Sequence, residues 1–139
     1  MKIAVVYWSS TGNTEAMAQA VVEGAKRAGA EVGLFSVDEF DAAKMDEFDA
    51  FAFGCPAMGA EELEDGEFAP MFETCESKLS GKKIALFGSY GWGDGEWMRT
   101  WEENCRDKGA NLVCDSVICQ ETPDDEALSA CRSLGEALA

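Results

Sequence analysis

The chain has 139 residues, a length that suits one domain with a full hydrophobic core, and 47% of them are apolar. Its 27 acidic and 11 basic residues leave a net charge of -16, a field that repels nucleic acid and anionic membranes and favours basic protein partners. There is no histidine, which removes the commonest general base and the commonest metal ligand. The six cysteines, at 55, 75, 105, 114, 119 and 131, form no C-x-x-C pair, so they read as core thiols of a reducing compartment, with no metal site.

"KIAVVY" is short, apolar and β-branched, which reads as a buried strand; the apolar run is far too short for a signal or membrane span, so a soluble cytoplasmic protein is expected. From Thr14 to about Arg27 the pattern turns helical, with Met17, Ala20, Val21, Gly24 and Ala28 on one face and Gly29 as the stop. "EVGLFSV", "AFAFG" at 50–54 and "KKIALFGSY" are the next three strands, and a weaker helix covers about Phe68 to Leu79. Gly95 to about Lys108 is helical, with Trp97, Met98, Trp101 and Cys105 on one face. "NLVCDSVIC" is a fifth strand with a candidate break near Asp115, and the closing helix takes Thr122 as its N-cap and Pro123 at its first position. Apolar strands alternating with helices indicate an α/β fold: a doubly wound, five-stranded parallel sheet with helices on both faces, of flavodoxin-like or response-regulator-like type, filling residues 1–139 as a single domain.

In such a sheet ligands sit beyond the carboxyl ends of the strands, where three loops stand out. After the first strand comes "SSTGNT", a polar turn opening a helix N-terminus. Free N–H groups, added hydroxyls and a glycine that allows close approach suit a phosphate, held with no cation. It is neither a Walker loop nor a G-x-G-x-x-G loop. After the third strand, "GCPAMGAEELEDG" places a Met58-Gly59 turn ahead of an acidic run that reads as a solvated face. A Met-Gly turn there also suits a flat ligand. After the fourth strand, "GSYGWGDGEW" sets Trp92 among Gly91, Gly93 and Gly95, where it would stack on an aromatic ligand, while Trp97 and Trp101 read as core. A phosphate seat, a turn and an aromatic lid at one sheet edge fit flavin mononucleotide (FMN).

On "YWSSTGNTEAMA", "GCPAMG", "EELED", "GKKIALFGSYGWGDGEWMRTWEE" and "PDDEAL", the sequence resembles the short-chain flavodoxins of anaerobic bacteria, clostridial and Megasphaera type, over essentially its whole length. The resemblance implies strand order 2-1-3-4-5 and a non-covalent FMN. It implies a low-potential one-electron carrier that shuttles between semiquinone and hydroquinone, not an enzyme with its own substrate. Ser9, Ser10, Thr11, Gly12, Asn13 and Thr14 would bind the phosphate, and Ser89 the phosphate or ribityl region. Met58 and Trp92 would flank the isoalloxazine, Glu61 would accept from N3–H, and the Gly59 backbone would address N5. Pro56, Ala57, Ala60, Tyr90, Gly91 and Gly95 complete the cofactor-binding set. Ala60 suits a type II turn poorly, so Ala60→Gly is expected to lower the first potential by tens of millivolts. The implied partners are basic-surfaced, low-potential redox proteins, met by a monomer that binds neither nucleic acid nor membrane. An FMN-dependent NAD(P)H/quinone oxidoreductase is the alternative on the same fold. A phospho-acceptor domain would need a carboxylate where this chain has "FGCP".

Overall fold

The apolar strands pair side by side, all parallel, in a computed structural model that describes residues 1–10, 12–58, 62–91 and 93–139. The elements run β1 (Lys2–Tyr7), α1 (Asn13–Arg27), β2 (Glu31–Ser36), β3 (Ala50–Gly54), α2 (Phe68–Cys75), β4 (Lys83–Tyr90), α3 (Glu96–Asp107), β5 (Asn111–Leu112), β6 (Val117–Gln120) and α4 (Asp125–Leu138). The order across the sheet is β2-β1-β3-β4-β5, and β6 continues along the same edge of β4. The expected fifth strand is thus divided. Lys83 and Ile84 pair with β5, Phe87 to Tyr90 pair with β6, and the chain leaves the sheet between them around Asp115.

The central strands β1, β3 and β4 are apolar through their interiors because both faces are covered, yet the two faces differ. Ala4, Val6, Phe51, Phe53, Ile84 and Leu86 point toward α2 and α3, where they meet Phe68, Phe72, Trp97 and Trp101. Ile3, Val5, Ala50, Ala52 and Ala85 point toward α1 and α4. Small side chains on that face let the two helices pack hard against the sheet and each other. A Cβ on Gly24 would run into the Arg132 carbonyl, and one on Gly135 into the Val21 carbonyl.

Several boundaries differ from expectation. The N-cap of α4 is Asp124, whose carboxylate accepts from the Ala127 N–H at 2.8 Å, not Thr122. A carboxylate outcompetes a hydroxyl at a positive helix end. Ala28 is exposed at the end of α1, and Ala18 and Ala25 are buried in its place. The α2 helix gives way to a 3-10 turn at Glu76–Lys78, and two further 3-10 turns, Val37–Glu39 and Ala42–Glu47, occupy the β2–β3 connection. Cys55, Cys75, Cys105 and Cys131 are buried as core thiols, but Cys114, between β5 and β6, and Cys119, on β6, are only half-buried.

Candidate functional site

At the carboxyl edge of the sheet, β1 runs into α1 through a turn in which Gly12 takes φ 93°, a left-handed conformation that glycine adopts without strain. No side chain among the described residues caps α1; the Ser9 hydroxyl is instead turned back to accept from the Gly12 N–H at 3.1 Å. Among the described residues, no side chain accepts from the first-turn N–H groups at the positive end of the helix dipole. The start of α4 contrasts with this, because its own Asp124 already fills that role.

Two buried hydroxyls meet beside this helix start. Thr14, on the first turn of α1, and Ser89, near the end of β4, lie 3.2 Å apart (oxygen to oxygen) and are 1% and 5% exposed. One O–H satisfies the other oxygen, so one proton of the pair remains to be donated elsewhere. The pair opens into a cleft of about 240 Å³ lined by Ser9, Ser10, Asn13, Pro56, Ala57, Met58, Tyr90, Gly91 and Glu121 as well. Most of the polar residues come from the α1 end, joined by Ser89 from β4 and Glu121 from the end of β6, and the apolar ones come from the loop after β3 and the end of β4. The only ionisable side chains among these lining residues are Tyr90 and Glu121, and none is cationic.

Main-chain bonds fix the cleft wall after β3. Cys55 N–H donates to the Phe87 carbonyl at 3.2 Å and Ala57 N–H to the Ser89 carbonyl at 3.0 Å. The Cys55 carbonyl accepts from Trp97 Nε1 at 3.1 Å. Met58 and Glu62 exchange both backbone hydrogen bonds, at 2.8 and 3.0 Å, and so close a short hairpin. Beyond it, the acidic run is not simply a solvated face. Burial works against ionisation of Glu64, but the Phe68, Glu67 and Gly66 N–H groups, at 2.7, 2.8 and 2.8 Å, outweigh it and hold the carboxyl below its usual range. Glu67 accepts from Trp8 Nε1 at 3.0 Å but is exposed, as Glu62 and Asp65 are, so the rest of the described run does lie in solvent.

Of the residues expected in the site, Ser9, Ser10, Asn13, Thr14, Pro56, Ala57, Met58, Ser89, Tyr90 and Gly91 come together in this cleft. Gly12 lines an adjoining cavity of about 310 Å³ with Tyr7, Trp8, Glu15, Asp38 and Glu67. There burial, then the 2.8 Å hydrogen bond to Glu15, pushes the Tyr7 phenol up to about 12. Gly95 stands apart as the N-cap of α3, where a Cβ would press on Ile118. Thr11, Gly59, Ala60, Glu61 and Trp92 lie outside the described residues. Glu121 is the lining residue that sequence reasoning missed. It follows β6 with φ 57°, and its N–H donates to the Tyr90 carbonyl at 2.7 Å. Nothing in the sequence signals a left-handed glutamate, since that conformation is set by how β6 ends against β4.

A larger, more open groove of about 900 Å³ runs between β6 and α4, but the helix end beside it is already capped. None of the helices among the described residues is long and apolar enough to cross a membrane.

The family described as "Flavodoxin" matches residues 5–135. The chain is 44% identical to a flavodoxin of Megasphaera elsdenii over 137 residues, covering 99% of this chain and 98% of that protein. It is also 44% identical to a flavodoxin of Clostridium beijerinckii, covering 97% of each. Among solved structures, the two-electron reduced Megasphaera elsdenii flavodoxin in solution superposes with a TM-score of 0.90 at 45% identity, over 98% of this chain and 97% of that one.

Proposed function

The chain belongs to the flavodoxin family, the FMN-binding electron carriers, and from that premise we propose that the cleft beside Thr14 and Ser89 is its FMN site. Residues 1–139 are read as one FMN-binding domain.

The donor set fits the cofactor's phosphate. An α-helix N-terminus that no described side chain caps, a hydroxyl pair with one proton to spare, and the Ser9, Ser10 and Asn13 side chains offer donors, and no described lining residue brings a cation. In this reading Met58 and Tyr90 flank the apolar end, together with Gly59, Glu61 and Trp92 in the roles their motif implies. FMN, when bound, supplies the one-electron chemistry. The residues of the chain set its cost. A phosphate held by dipoles keeps its negative charge uncompensated. Glu121 in the wall, and Glu62, Asp65 and Glu67 on the neighbouring segment, add carboxylates around it. Every such charge disfavours further negative charge in the cleft and pushes the potential for full reduction low.

The reading as a carrier, not an enzyme with its own substrate, rests on the family, whose members with close sequence similarity to this chain are flavodoxins. The acidic surface fits basic redox partners met in the cytoplasm by a monomeric carrier. The observation that carries the assignment is the buried Thr14–Ser89 pair at the N-terminal end of α1. Titrating apoprotein with FMN while following flavin fluorescence tests it. Stoichiometric quenching, with no steady oxidation of NADH when a quinone is added, is expected. Sustained turnover would favour the oxidoreductase instead.

A further inference from the structure

We propose that Cys55 is a positioning residue for the cofactor: its thiol clamps the returning arm of the Met58–Glu62 hairpin to the outgoing one. The proposal rests on the reading that the cleft beside this hairpin holds FMN.

The hairpin has two arms, and Cys55 touches both. On the outgoing arm, its N–H and carbonyl are fixed by Phe87 and Trp97, and Sγ donates to the Pro56 carbonyl at 3.6 Å. On the returning arm, the Glu64 N–H donates to the same Sγ at 3.4 Å. Glu64 is itself the anchor of the next segment, because its carboxylate gathers the N–H groups of Gly66, Glu67 and Phe68. The thiol therefore links the strand-end wall of the cleft to the start of α2, across the hairpin that carries Met58.

A thiol suits this task. The residue is fully buried, and Gly88 is needed behind it because a Cβ there would run into the Cys55 carbonyl. Burial pushes the thiol up to about 12, with the Glu64 N–H acting weakly the other way, so it stays protonated at neutral pH. A protonated sulfur donates in one direction while accepting in the other, and its bulk fills an apolar site. Alanine keeps neither bond and leaves the Glu64 N–H without its partner. Serine keeps both directions in a smaller atom.

The test compares Cys55→Ala, Cys55→Ser and Cys105→Ala; Cys105 is buried near the C-terminal end of α3 and makes no such link. Amide hydrogen exchange on the apoprotein reads the clamp without cofactor, and FMN affinity with the two one-electron potentials reads its consequence. For Cys55→Ala the Glu64 amide is expected to exchange faster, FMN to bind about fivefold to tenfold more weakly, and the potentials to shift. Cys55→Ser should recover most of each. Cys105→Ala should lose stability while leaving exchange at Glu64, affinity and potentials at wild-type values. Unchanged Glu64 exchange in Cys55→Ala would overturn the proposal, as would serine and alanine behaving alike. Failure of the wild type to take up FMN would overturn the cofactor reading instead, and exchange on the apoprotein would still decide the clamp.

Discussion

Removing the hydroxyls of Thr14 and Ser89 together should weaken FMN binding far more than removing either alone. The two oxygens lie 3.2 Å apart, so in the free protein one proton is spent between them and one is available. On the proposed reading, either Thr14→Val or Ser89→Ala leaves a single hydroxyl free to donate to the phosphate, and costs only the polarisation its partner supplied, a part of the ~0.5–1.5 kcal/mol that a neutral hydrogen bond contributes. The double variant has no hydroxyl to donate. A charge-assisted hydrogen bond is then missing, which is worth about 1.5–3 kcal/mol, or ~10- to ~150-fold in affinity. Calorimetric titration of each apoprotein with FMN and with riboflavin measures this. Riboflavin lacks the phosphate and should bind all four proteins alike. The reasoning is refuted if riboflavin affinity falls in step with FMN affinity, or if one single variant loses as much as the double.

Three further outcomes follow from the packing and the titrating groups. Gly135→Ala would drive a methyl into the Val21 carbonyl and separate α1 from α4, so thermal or urea unfolding should show a loss of about 2–4 kcal/mol. The Glu64 carboxyl is held below its unfolded value of 4.5, so its contribution is complete above that pH and is lost as pH falls through the native value; Glu64→Gln should flatten the acid limb of the stability curve, read by denaturant titration at pH 7 and pH 3. Tyr7 is raised from 10.0 to about 12, so its contribution is complete below pH 10 and is lost as pH rises toward 12; in a native ultraviolet titration, Tyr7→Phe should remove a late-ionising phenol.

Patterns confined to one segment were legible in the sequence. "KIAVVY", "AFAFG" and "KKIALFGSY" have apolar interiors because each is buried there on both faces, and that signal needs no partner. The turn holding Ser9, Ser10, Asn13 and Thr14 was legible for the same reason, since a helix start is a local object. The acidic run after Met58 was harder. Its charges suggested solvent, but Glu64 is drawn inward by three main-chain donors that exist only because α2 begins where it does.

Sequence by itself therefore determined the alternating fold, the excess of negative charge, and which loops carry donors or aromatic side chains. Tertiary structure decided the meeting of groups far apart in the chain. It set Thr14 against Ser89 across 75 residues, seated Glu121 in the cleft wall in a left-handed conformation, and divided the last strand along β4. The physical reason is range: local periodicity encodes which face of an element is buried, whereas the distance between two side chains on different elements depends on how the sheet orders its strands and how closely the helices pack upon it.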